Sequence, residues 1–167
     1  MGALPEDDTC SIARSLGVLG ERWTLLIIRD ALEGFTRFQE FRRSLGVAAD
    51  VLTARLTMLV EHGVMVKVDY QEPGERRRSE YRLTEAGAEL FVALSALQQW
   101  GDRHVPADAG PSLTRVDAET GASVHVGFIG EDGRELPPDR VELRPTASYS
   151  PLRRQLQEER HARSAAR

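Results

Sequence analysis

The 167-residue sequence has one cysteine, one lysine and no long hydrophobic run, and each scarcity removes a class of protein. A single thiol, Cys10, cannot close an intramolecular disulfide, so no covalent framework holds the chain and a reducing compartment suits it. The densest apolar stretch, Trp23 to Ile28, falls far short of the roughly 20 residues that a bilayer span needs. The first ten residues are acidic where a signal peptide would be basic. A cytoplasmic protein with no membrane partner is the expectation. The four histidines, His62, His104, His125 and His161, form no helical HxxxH pair and have no cysteine with which to share a metal. No GxSxG, P-loop or dinucleotide fingerprint occurs. The sequence therefore predicts no enzyme, no metal and no cofactor. Lys67 is the only lysine beside 21 arginines, so anions must be met almost entirely by guanidinium groups, which favour bidentate geometry.

What is present is ordinary soluble composition, 41% hydrophobic and 29% charged, enough for one core with an appended element. Residues 36 to 63, TRFQEFRRSLGVAADVLTARLTMLVEHG, read as a helix-turn-helix. Thr36 is the expected cap of a helix to Leu45, with Phe38, Phe41 and Leu45 on one buried face. Gly46 breaks it. A second apolar stripe, Val51, Leu52, Leu56, Leu59 and Val60, then runs to a C-cap at Gly63. Packed through that stripe, the second helix turns Ala48, Ala49, Asp50, Thr53, Ala54 and Thr57 outward.

The β-prone runs Val64 to Tyr70 and Glu80 to Leu83 enclose QEPGERRRS, which reads as a wing whose tip carries Arg76, Arg77 and Arg78 toward phosphates. Net charge is −4, but residues 36 to 83 hold nine basic against seven acidic residues, which leaves +2 there and −6 elsewhere. A locally positive module on an acidic body suits specific DNA binding better than strong non-specific affinity.

Upstream, helices are expected over Cys10 to Leu19, with Ile12, Leu16 and Leu19 inward, and over Glu21 to Leu32. Downstream, Thr84 caps a long helix from Glu85 to His104 with Leu90, Leu94, Leu97 and Gly101 on one stripe. The first and last of these have more apolar surface than one small domain covers, which predicts a homodimer through both. Trp23, Phe91, Leu94 and Trp100 are then candidate walls of a small-molecule effector pocket. After the linker Pro106 to Pro111, the runs Leu113 to Val116, Ser123 to Ile129 and Val141 to Arg144 predict a small antiparallel β element. The tail from Pro151 is basic, either frayed helix or disordered. The fold class expected is α+β, mostly α: a winged helix-turn-helix with dimerisation helices at 1–106, a hairpin-like extension at 107–150 and a basic tail at 151–167.

Several of these residues together resemble the HxlR family of bacterial winged-helix regulators, relatives of the MarR type. They are Cys10, Leu16, Leu19 and Gly20, then Arg22-Trp23-Thr24 with the apolar Leu25 to Ile28. Arg37-Phe38, Phe41, Leu52-Thr53, Arg55-Leu56, Leu59 and Gly63 follow in order, as do Arg78, Glu80-Tyr81, Leu83-Thr84 and Gly87. The resemblance covers about residues 10 to 104. It implies a homodimeric transcriptional regulator, a repressor in the reading adopted here, that binds a short inverted repeat in double-stranded DNA.

Arg37, Arg42, Arg43, Ala48, Ala49, Asp50, Thr53, Arg55, Thr57 and the three wing arginines are the candidate DNA-binding residues. Ala49 and Asp50 stand where relatives often carry a basic or amide residue, so Asp50 either accepts from cytosine N4 or merely complements the helix dipole. In some relatives the cysteine matching Cys10 senses oxidants or electrophiles; here it is either such a sensor or a packed helical thiol. Some relatives place a cysteine-bearing hairpin in the extension, but VGFIGEDGREL has none. The alternative reading is a winged-helix protein-interaction module with little or no specific DNA binding.

Overall fold

The computed structural model describes residues 9–71, 74 and 77–165. Its order is α1 (Ser11–Leu19), α2 (Arg22–Leu32), α3 (Phe38–Leu45), α4 (Ala49–Glu61), β1 (Met65–Tyr70), β2 (Arg78–Leu83), α5 (Glu85–His104), β3 (Phe128–Ile129), β4 (Glu135–Leu136) and α6 (Pro151–Ala165), with a 3-10 turn at Pro138–Arg140. This is the winged helix-turn-helix architecture, mostly helical with small antiparallel hairpins.

Helix α2 is the centre of the molecule, packing on α3, α4 and α5. Its Ile27 and Ile28 meet Phe41, Val47, Leu52, Leu56, Leu59, Val64 and Met65 in the buried core. Phe41 and the stripe Leu52, Leu56, Leu59 lie on facing helices, as the 3.6-residue spacing requires. The turn between α3 and α4 depends on Gly46, whose φ of +61° an L side chain rarely adopts. The Gly46 N–H donates to the Arg42 carbonyl at 3.0 Å and closes α3, and the positive φ then turns the chain toward α4.

Helix α3 starts later than the Thr36 cap implies. Arg37 is the N-cap residue, because Thr36 and Arg37 are drawn into the sheet: the Tyr81 N–H donates to the Thr36 carbonyl at 2.7 Å, and Arg37 bridges Glu80. Glu40 takes over the capping, its Oε2 accepting from the Thr36 and Arg37 N–H groups at 2.9 and 2.8 Å. Those two donors, Arg37 first, hold the Glu40 carboxyl below its ordinary pKa.

The wing is a hairpin in which Met65 pairs with Leu83 and Tyr70 with Arg78. Helix α5 begins at its expected cap, Thr84, whose Oγ1 accepts from the Gly87 N–H at 3.1 Å. Two expectations about packing change. Ile12 and Leu16 do not point into this chain's core; Ile12 is 72% exposed, and α1 contains no buried residue. On α5, Leu90 and Leu94 pack against the core while Leu97 faces out.

The extension docks on α5. The Gln99 amide pairs with the Val126 backbone as a strand neighbour would, Nε2 to the carbonyl at 3.0 Å and N–H to Oε1 at 2.9 Å. Gln98 donates from Nε2 to the Leu113 carbonyl at 2.9 Å and accepts at Oε1 from the Arg115 guanidinium at 2.8 Å. The β content of the extension is smaller than expected: among the described residues β3 pairs with β4 alone, and Val116 makes an isolated bridge to Ser123. Val141 to Arg144 forms no strand, since the prolines before it lack N–H groups and turn the chain at Pro138–Arg140. The tail is helical through Ala165, with Pro151 at the first helical position and Ser150 accepting from the Arg153 N–H.

Candidate nucleic-acid interface

The helix-turn-helix and the wing converge on one open cleft. It encloses about 1070 Å³ between α3, α4 and the hairpin, and its walls carry Arg37, Arg43, Lys67 and Arg78 as cations against one carboxylate, the capping Glu40. Gln39, Ser44, Thr53, Ser79 and Tyr70 add neutral polar groups. The Arg37 guanidinium stacks on the Tyr70 ring at 4.9 Å, which fixes the junction of α3 with the wing. Cations and hydroxyls in one concave strip are suited to the phosphates of a nucleic-acid backbone.

Beside the cleft, the outer face of α4 carries the residues that the sequence placed there. Ala48, Ala49, Asp50, Thr53, Ala54 and Thr57 are all exposed. Arg42 and Arg43 are exposed on α3. Arg55 is different: it is half-buried, and its Nε is shielded from solvent. It belongs to the flank of α4 rather than to its outer face.

The wing arginines are not three equal projections. Arg76 lies outside the described residues. Arg77 pairs with Asp69, Nη2 to Oδ2 at 2.8 Å, and Ser79 donates to the other Asp69 oxygen at 2.7 Å. The Ser79 hydroxyl and then the Arg77 guanidinium hold the Asp69 carboxyl below its usual range. Arg78 opens β2 and lines the cleft. Gln39, Ser44, Lys67, Tyr70 and Ser79 were not legible as site residues in the sequence. Lys67 sits opposite Tyr81, another cleft residue, only because of the hairpin register.

Trp23 is half-buried against the core with Arg22 stacked on it at 4.4 Å, and Leu94 also packs inward. Phe91 and Trp100 are more than half exposed, and the Trp100 ring lies tilted against that of His104 with centroids 5.3 Å apart. The cleft does not include these four residues. Cys10 is the N-cap residue of α1. The backbone N–H of Ala13, then that of Ile12 and the Arg153 guanidinium from α6, hold its thiol below the ordinary value against partial desolvation. Among the described residues, no three His, Cys, Asp or Glu side chains converge as metal ligands. No described helix is long and apolar enough to cross a membrane.

The family model of HxlR-like helix-turn-helix proteins matches residues 18–109, over half of the chain and all of the elements that build the cleft. The chain belongs to the HxlR-like helix-turn-helix family. A Mycobacterium tuberculosis protein named an HTH-type transcriptional regulator, Rv3095, is 48% identical over 103 residues. That match takes in 62% of this chain and 64% of the relative, so the chain spans just under two thirds of it. Among solved structures, PA1607, a proposed transcription factor, is similar at a TM-score of 0.72 and 40% identity, covering 83% of this chain and 96% of that one. The redox regulator HypR, in its reduced form, aligns at a TM-score of 0.51 and 28% identity over 57% of this chain and 96% of its own. The extension reaches into the similarity with PA1607, whose match is the longer of the two structural ones.

Proposed function

We propose that this HxlR-like chain is a sequence-specific DNA-binding transcriptional regulator, a repressor that acts as a homodimer on a short inverted repeat. The observation that carries the reading is the cleft: four cations against one carboxylate at the junction of α3 and wing, directly beside the exposed outer face of α4, a helix of the kind the major groove admits. In this reading residues 1–106 bind DNA and dimerise, and the units 107–150 and 151–167 are appended to them. Arg37, Arg43 and Lys67 hold phosphates while α4 meets the bases.

Replacing Arg37, Arg43 and Lys67 together by Ala is expected to weaken binding to all duplexes by similar factors. The salt dependence should flatten by about one unit of slope per lost contact. Fluorescence anisotropy of the full chain across a salt series measures both. A protein-interaction module would show weak binding before the substitutions and no change after them.

Two supports favour the dimer. Val92, Ala93, Ala96, Leu97 and Trp100 form a broad exposed face on α5, and Ile12 and Leu16 add a second exposed patch on α1. Soluble monomers rarely leave contiguous apolar surface of this kind uncovered. Two-fold symmetry would then place the α4 helices about 34 Å apart, one duplex turn. An effector pocket using Trp23, Phe91, Leu94 and Trp100 would be closed by the partner's helices.

The Cys10 environment favours thiol sensing as the signal, and the similar protein HypR is named a redox regulator. A lowered thiol pKa means that thiolate persists to lower pH, and the thiolate is the nucleophile. Iodoacetamide labelling of Cys10 should therefore reach half its maximal rate at a pH below that of free cysteine. Arg153→Ala should move this midpoint upward. A profile matching free cysteine in both proteins would dismiss the sensor, as would DNA release by diamide that survives Cys10→Ser.

A further inference from the structure

We infer that α4 reads its half-site with methyl groups and acceptor oxygens, selecting thymine methyls and the N4 amine of one cytosine and turning away from guanine. The inference rests on the regulator reading above and names the base chemistry that it requires.

The exposed side chains at the start of α4 are Ala48, Ala49, Asp50 and Thr53. The alanines offer methyl groups alone. An ionised Asp50 accepts hydrogen bonds and donates none. Thr53 looks bifunctional in the sequence, but its hydroxyl donates to the Ala49 carbonyl at 2.7 Å. Its proton is spent within the helix, so what remains for a ligand is a lone pair and a methyl group. Over its first two turns the outer face of α4 therefore offers methyls and acceptors, and no side-chain donor. Thr57, one turn further on, supplies the first hydroxyl not committed in this way.

The major groove gives such a face few matches. Guanine presents only acceptors, N7 and O6, and is read by Arg or Lys. Here the cations come from neighbouring elements rather than from α4 itself, with Arg43 on α3 and Lys67 on the wing, at the edge of the cleft that Thr53 also lines. Adenine sets an N7 acceptor beside its N6 amine, so a carboxylate meets attraction and repulsion together. Cytosine N4 is a donor, and the thymine C5-methyl accepts apolar contact from Ala or a Thr methyl. Asp50 then also discriminates by repulsion, since a carboxylate near phosphates and guanine edges weakens every duplex that lacks the right cytosine.

The test starts with selection of half-sites from a random duplex library by the full chain. Deoxyuridine, which lacks only the methyl group, then replaces single thymines in the selected duplex. Loss of several-fold in affinity at one or more positions is expected. Asp50→Asn should transfer the preference at one position from C·G to A·T, since an amide is bidentate to adenine, with a change of roughly tenfold or more in the ratio. Asp50 is exposed, so the fold should tolerate the exchange. Selection of guanine-dominated sites indifferent to deoxyuridine and to Asp50→Asn would overturn the inference while leaving the regulator reading intact. Failure of the library to yield any enriched sequence would overturn both.

Discussion

Leu97→Asp together with Trp100→Asp is expected to leave a folded monomer whose affinity for an inverted repeat is lower by at least about 100-fold. Both side chains are more than half exposed in the single chain, 52% and 57%, so the substitutions remove nothing from its core. In a symmetric pair each charge would enter an apolar contact, and the two-fold axis would place it there twice. The affinity loss follows from valence. Two linked half-sites gain roughly 10²–10⁴ over one, and a monomer forfeits that gain without losing any contact of its own α4. Sedimentation at micromolar concentration and anisotropy on one- and two-half-site duplexes separate the effects. A variant that stays dimeric, or that binds both duplexes as the parent does, would place the interface elsewhere.

Gly87→Ala is expected to destabilise the fold by about 3 kcal/mol, the upper end for overpacking. In an open helix this exchange usually stabilises by roughly 0.5–1 kcal/mol, so the sign is informative. A Cβ at Gly87 would meet the Val64 carbonyl oxygen at 2.1 Å and Leu83 Cδ2 at 3.0 Å. The carbonyl cannot swing aside, because it already accepts from the Thr84 N–H and lies at the turn into β1. The first turn of α5 would have to lift from the wing base. Gly101→Ala is the control: nothing lies within 4 Å of its added Cβ, so a small gain is expected. Thermal or urea unfolding of the two variants should shift in opposite directions, and equal shifts would contradict the packing at Val64.

These two cases also mark where the sequence was legible. Residue spacing and caps located α5 to its first and last residue, and Gly46 and Gly63 bracketed α4, because helical period and glycine conformation are local properties. The start of α3 was misplaced because the pull on Thr36 comes from Tyr81, 45 positions away, through the Tyr81 N–H bond to the Thr36 carbonyl. Thr53 and Arg77 were visible as candidates, but their hydrogen-bond and ion-pair partners, Ala49 and Asp69, were not. Lys67 and Tyr70 entered the cleft through hairpin register, which a nine-residue loop does not specify. Ile12 and Leu97 followed the periodicity faithfully yet remain exposed here, since an apolar stripe does not reveal whether its own chain or another covers it.

The most direct measurement is anisotropy of the purified full chain on labelled duplex from the intergenic region upstream of its own gene, with an unrelated duplex as control, at two salt concentrations. Tight binding to the upstream duplex that weakens with salt, and at least about 1000-fold weaker binding to the control, is the expected result for a specific regulator. Equal and weak binding to both duplexes would contradict the assignment of α4 and its cleft to sequence-specific recognition of DNA.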